Sequence, residues 1–143
     1  MNKSLLLAAA SLFSFAALPA SAGDEGPQHC SLDTLHGTMV YATIATNGLV
    51  QWSVSGQESY DGQGHMKYYE LLSYGGVPQT YTGTATYTIT ANCIATVIYD
   101  AGFAPWQYFV SADGEHYYWN NNQNTGTIGA GRADRVSKAL LVP

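Results

Sequence analysis

"VQWSVSGQESYDGQGHMKYYELLSY", Val50 to Tyr74, is two alternating runs joined by an acid, two glycines and a glutamine. Asp is favoured at the first position of a type I turn and Gly at the fourth, the places held by Asp61 and Gly64. The spacing predicts a hairpin with a three-residue loop and Gly64 left-handed as a bulge. Asp61 then faces His65, Glu58 faces Tyr68, and Gly56 faces Glu70. Polarity supports the same register: Val50, Trp52 and Val54 share a face with Met66, Tyr68, Leu72 and Tyr74. Gln51, Ser53, Ser55, Gln57, His65 and Lys67 take the other face. A loop one residue shorter or longer would put the apolar residues of the two strands on opposite faces. Other loop chemistries fail here. A calcium loop needs oxygen ligands at alternate positions, and Gly-Gln-Gly-His-Met follows Asp61. A phosphate loop needs a following Lys and a helix.

The pattern extends in both directions. In "TYTGTATYTITA", Thr80 to Ala91, six threonines take one face while Tyr81, Gly83, Ala85, Tyr87, Ile89 and Ala91 take the other. One wet face and one packed face give this two-residue period. Asn47-Gly48, Gly75-Gly76, Ala91-Asn92, Asp100 to Pro105, Asp113-Gly114 and Asn120 to Asn124 supply turns. They delimit runs at 37–46, 49–60, 65–74, 80–90, 93–100, 106–111, 115–120 and 126–136. The expected class is all-β, an antiparallel up-and-down barrel of about eight strands. A two-sheet sandwich is the alternative, but its crossovers need longer connections than most of these turns provide.

The N-terminus reads as an export signal. Lys3 precedes an apolar run from Ser4 to Leu18, and Pro19 breaks it before Ala20-Ser21-Ala22. The run is too short to span a bilayer. We expect a cleaved signal over 1–22 and a single barrel domain over 23–143, periplasmic or extracellular, with no stable membrane anchor after cleavage. In an oxidising compartment, Cys30 and Cys93 are expected to pair. The bridge would tether an N-terminal arm, Gln28 to Leu35, over one end of the barrel as a plug. Beyond the leader, Lys67, Arg132, Arg135 and Lys138 face ten acids. That balance gives nucleic acid no basic stripe to bind.

The hairpin register points Glu70 inward, and with it Glu58 as a diagonal neighbour roughly 7 Å away at the backbone. Gly56, opposite Glu70, would leave space above it. A carboxyl among Trp and Tyr has its charge disfavoured by desolvation, which makes a proton-transfer group. Glu70 and Glu58 are therefore the catalytic candidates. A simpler role has Glu70 hydrogen-bonding a buried tyrosine or Arg132, with Glu58 at the wet rim. The ligand-binding candidates are Trp52, Val54, Tyr68, Glu70, Leu72 and Tyr87, within an inward set that adds Val50, Tyr81 and Ile89. No metal or cofactor is expected. The four histidines lack metal-ligand spacing, and Gly129-Ala130-Gly131-Arg132 is only half a dinucleotide fingerprint. No nucleophile elbow is present, and Arg132 with Asp134 reads as a local ion pair.

The ordered set "LHGTMVYA", "SYDGQGHMKYY", "YTGTATYTITANCIATV" and "SADGEHYY" resembles small exported bacterial barrels of unknown function, of the allene oxide cyclase-like or calycin kind. The likeness covers about Leu35 to Val136. It implies an eight-stranded barrel carrying a small hydrophobic ligand, and in some members an isomerisation. No catalytic motif of the cyclases is present, so no catalytic residue carries across. Three functions compete: a binding module for a small hydrophobic or aromatic ligand, an isomerase or cyclase using an inward glutamate, and an envelope interaction or inhibitor module. The last would use the Thr ladder and the loops 100–105 and 120–126, near Phe103, Trp106 and Trp119. No protein partner is identified.

Overall fold

The computed structural model describes residues 29–120 and 127–143; the expected signal, 1–22, and Gln28 of the expected arm lie outside the described residues. The chain forms β1 (His36–Asn47), β2 (Val50–Asp61), β3 (His65–Tyr74), β4 (Val77–Ile89), β5 (Ile94–Tyr99), β6 (Trp106–Val110), β7 (His116–Asn120) and β8 (Thr127–Ser137). Each strand pairs antiparallel with the next, and β8 returns to β1, closing an up-and-down barrel. The sandwich alternative is excluded.

The β2–β3 hairpin has the expected register, with Glu58 opposite Tyr68 and Gly56 opposite Glu70. Its turn differs in type. Gly62 sits at φ +75° and Gly64 at φ +105°, and a type I turn does not allow a positive φ at its second residue. The Asp61 carboxylate sets this geometry by accepting from the Gln63 and His65 amides at 2.7 and 3.0 Å. Loop length fixed the register, and the side chain chose the turn.

Inward positions alternate around the whole barrel. Met39 and Tyr41 of β1, Glu58 and Tyr60 of β2, and Met66 and Tyr68 of β3 are buried. Ala85 and Tyr87 of β4, Ala95 and Val97 of β5, Tyr108 and Val110 of β6, Tyr117 and Trp119 of β7, and Ala133 of β8 are buried as well. Thr80, Thr82, Thr84, Thr86 and Thr88 all face out on the exposed side of β4, and Thr90 just beyond its end is exposed as well. Large rings fit because glycines face them. A Cβ on Gly83 would lie 2.7 Å from the Tyr68 hydroxyl, and one on Gly131 would lie within the Trp119 ring contact distance at 2.4 Å.

One end of the barrel is sealed. Cys30 is bonded to Cys93 with Cα atoms 5.0 Å apart, and the Cys30 amide donates to the Ala91 carbonyl at 3.2 Å. The arm turns through a short 3-10 segment, Leu32–Thr34, and places Leu35 at 0 % exposure beneath the strands. Tyr87 donates to the Leu32 and Leu35 carbonyls at 3.0 and 2.9 Å. Arg135 donates to the Thr34 and Gly114 carbonyls and pairs with Glu115 at 3.2 Å. The C-terminal tail adds an outer strap absent from the sequence reading. The Thr38 hydroxyl donates to the Ala139 carbonyl at 2.7 Å, and the Ser59 hydroxyl accepts from the Val142 amide at 3.0 Å.

Candidate functional site

The opposite end holds the β1–β2, β3–β4 and β5–β6 turns, and the barrel interior beneath it is not filled. A cavity of about 380 Å3 lies there, within the range of small-molecule sites. Trp52, Val54, Leu72, Tyr74, Phe103, Trp106 and Trp119 form its walls, and Tyr41, Glu58, Glu70, Tyr99, Tyr108 and Tyr117 its depth. Trp106 and Trp119 meet edge to face at 5.1 Å, and Phe103 meets Tyr99 and Tyr81 in the same way at 6.0 and 6.5 Å.

Glu58 is the hub of the floor. Its carboxyl accepts from Tyr60 at 2.6 Å, from Tyr99 at 2.8 Å, and from Tyr117. Tyr99 shares a further 2.7 Å hydrogen bond with Tyr108, whose ring stacks on Tyr117 at 4.4 Å. The participants come from β2, β5, β6 and β7, so the network ties together strands that are not neighbours. Burial pushes the Glu58 carboxyl up, and the phenol donors pull partly against that. The four phenols are pushed far above the ordinary tyrosine range by burial and by the Glu58 charge. They therefore act as proton-holding donors and do not titrate near neutrality.

Glu70 stands higher in the cavity on β3. One carboxyl oxygen, Oε1, accepts from Tyr41 at 2.6 Å. Among the described residues its Oε2 has no hydrogen-bond partner, and the residue lines the cavity. Burial raises its pKa to about 7, the Tyr41 hydrogen bond lowers it, and the Glu58 charge raises it further. The site thus combines an aromatic wall with one adjustable carboxyl.

Of the sequence-derived ligand set, Trp52, Val54, Glu70 and Leu72 are on the cavity wall. Tyr68 and Tyr87 are not. Tyr68 packs edge-on against Tyr99 at 5.2 Å beneath the floor, and Tyr87 spends its hydroxyl on the arm, its pKa pushed up to about 12 chiefly by burial. Periodicity gives the face of a strand but not the depth at which the interior stops being filled. Glu58 is at 1 % exposure and not at the rim. Glu70 pairs with Tyr41 and not with Arg132, which points outward and donates to Asp134 at 2.7 Å. The space expected above Gly56 is taken by the Tyr41 hydroxyl, 3.0 Å from where a Cβ would stand. Phe103, Trp106 and Trp119, assigned from sequence to an outer contact surface, line the cavity instead. The 121–126 part of the second candidate loop lies outside the described residues. The reading missed Tyr41, Tyr99, Tyr108 and Tyr117. Their signal was present: inward tyrosines in a charge-poor barrel need an acceptor, and Glu58 is inward.

The fold has a counterpart among solved structures. A redesigned beta barrel, mFAP1, solved bound to DFHBI, is similar at 16 % identity and a TM-score of 0.51, over 73 % of this chain and 98 % of that one. A second redesigned barrel, mFAP0, also bound to DFHBI, is similar at 17 % identity and a TM-score of 0.48, over 71 % and 99 %. At this identity the likeness shows the fold alone. The chain is a closed eight-stranded β-barrel. No protein-family model and no curated protein matches it.

Proposed function

We propose that the protein is an exported, non-catalytic binding module that holds a small aromatic or hydrophobic molecule in the open half of its barrel. One observation carries the reading: a cavity of about 380 Å3 lined by aromatic side chains and by the Glu70 carboxyl. A barrel built only for stability would fill this half as it fills the other. Export is supported by the Cys30–Cys93 bridge, since such bonds persist in oxidising compartments. A redesigned barrel of similar fold, mFAP1, was solved bound to DFHBI, which supports the reading. Native mass spectrometry of protein purified from its own host tests the reading. The expected result is a stoichiometric small molecule that leaves on unfolding. A ligand-free mass, together with no binding across a panel of aromatic compounds, would refute it.

A second reading has Glu70 as a general acid or base in an isomerase, favoured by its pKa of about 7. Proton exchange at an acidic carbon of a bound ligand, lost in Glu70→Gln, would support it. A ligand recovered unchanged, with no such exchange, would count against it.

A further inference from the structure

The carboxyls inside this barrel have no cationic counterpart among the described residues. Glu58 and Glu70 both line the cavity, and no Lys, Arg or His does so among the described residues. The cations among the described residues lie elsewhere. Lys67 is exposed on the outer face of β3. Arg132 is exposed and bound to Asp134 and Tyr118. Arg135 clamps the arm at the sealed end, and Lys138 belongs to the C-terminal tail beside it. His36 and His65 pair with Asp33 and Asp61 near the sealed end. His29 lies in the arm there, and His116 packs on the outward Tyr118 ring. Residues 121–126, outside the described residues, are Asn, Gln, Thr and Gly in sequence. Among the described residues, no cationic side chain neutralises Glu70 from within the cavity.

Glu58 is already satisfied by three phenols, whereas Glu70 lines the cavity with only its Oε1 bonded, to Tyr41, and its Oε2 without a hydrogen-bond partner among the described residues. Trp52, Trp106, Trp119, Tyr74 and Phe103 line the same cavity. Aromatic faces carry negative potential and attract cations, most strongly where water is excluded. A carboxyl and a wall of aromatic side chains ask for the same thing: positive charge on an apolar body. An anion would meet both carboxyls, and a neutral ligand would leave the imbalance in place.

Resting on the binding-module reading above, we propose that the molecule held here is an organic cation, an ammonium group on a flat apolar body. Its nitrogen lies against Glu70 Oε2 and its body between the tryptophans of the open half. The polarity of the ligand is thus set by a charge the barrel leaves unpaired, and the aromatic walls set its shape.

Three indoles of nearly equal size and different charge test this: tryptamine, tryptophol and indole-3-acetate. Each is titrated calorimetrically into the oxidised protein one pH unit above the Glu70 value of about 7. Tryptamine is expected to bind at least about tenfold tighter than tryptophol, with indole-3-acetate weakest. Glu70→Gln keeps the side-chain shape and should bring tryptamine to within about twofold of tryptophol. Glu70→Asp retains the charge at a shorter reach and should preserve part of the preference. It serves as the check should Glu70→Gln fold poorly. Equal or tighter binding of tryptophol, or a tryptamine preference that survives Glu70→Gln, overturns the cation assignment while leaving the pocket intact. Failure of all three to bind overturns the pocket as well.

Discussion

The two halves of this barrel are built from the same alternating strands and end in opposite states. At the sealed half, Leu35, Met39, Tyr60, Met66 and Tyr68 are each at 2 % exposure or less, and an arm, a disulfide and a tail close over them. At the open half, Trp52, Val54 and Leu72 occupy equivalent inward positions yet are only half-buried. The difference is one of completion. Interiors normally pack without voids, so the half with structural closure contributes the stability. The half that stops short leaves apolar surface whose burial is finished only by something else. Glu58 and its tyrosines form the boundary between them.

The largest effect is expected at that boundary. Glu58→Ala leaves the buried Tyr60 and Tyr117 hydroxyls without their acceptor and Tyr99 with only its Tyr108 partner. Each unpaired buried donor costs about 1–3 kcal/mol, so the loss is expected to total about 4 kcal/mol, read from urea unfolding. Glu58→Gln, which retains one acceptor oxygen, should lose about half as much. If Glu58→Ala unfolds at the wild-type midpoint, the hub is not holding the two halves together.

Next in size is the bridge. Reduction, or Cys30→Ser, should cost roughly 3 kcal/mol by releasing the loop that Cys93 closes. The barrel should remain folded at low temperature, because Tyr87 and Arg135 still hold the arm. The comparison sharpens if ligand affinity is unchanged by reduction, since the cavity lies at the other end. Two free thiols in the non-reduced protein would remove the premise.

How far these halves could be read from sequence differs in an instructive way. Strand pairing was legible throughout, because alternation and turn dipeptides such as Asp61-Gly62 and Gly75-Gly76 act locally and fix register between neighbours. The inward placement of Glu58 and Glu70 followed from the same local rule. What could not be read is any contact made across the barrel. Tyr117 lies 59 residues from Glu58, and no periodicity encodes which inward side chains meet at the axis. The depth at which packing ends has the same origin, which is why Tyr68 and Tyr87 were taken for wall residues. The tail strap on Thr38 and Ser59 was invisible because those hydroxyls sit at positions that alternation assigns to solvent.

A pH titration of stability probes the boundary from the open side. The folded protein holds the Glu70 proton up to about pH 7, whereas an ordinary glutamate gives it up near 4.5. Between those values the folded state binds more protons than the unfolded chain. Stability should therefore fall as pH rises through this window and level off above it, by at most about 1.4 kcal/mol per pH unit. Water in the cavity screens the effect, so a total of roughly 2 kcal/mol is expected. The raised Glu58 carboxyl acts in the same direction. Glu70→Gln should flatten the decline and leave the Glu58 part. A wild-type protein whose stability rises with pH between 4.5 and 7 would contradict both assignments.

The smallest stability effect is expected where the ligand effect is greatest. Trp52 faces inward on β2 opposite Tyr74, and it is half-buried against the core while lining the cavity. In a filled interior, cutting a tryptophan back removes its burial and leaves a void, which costs about 3–5 kcal/mol. Here one side of the ring already borders empty space, so Trp52→Leu deletes few packed neighbours and enlarges a cavity that exists. The expected loss is about 1 kcal/mol, near the centre of ordinary substitutions. Binding is a different matter, because the ring contributes both apolar area and an aromatic face to whatever enters. Affinity for a bound aromatic should fall about tenfold or more. A substitution in the sealed half, Met66→Ala, should show the reverse, with a large loss of stability and little change in affinity. If Trp52→Leu unfolds the barrel as readily as Met66→Ala does, the open half is core like the other, and the division between them fails.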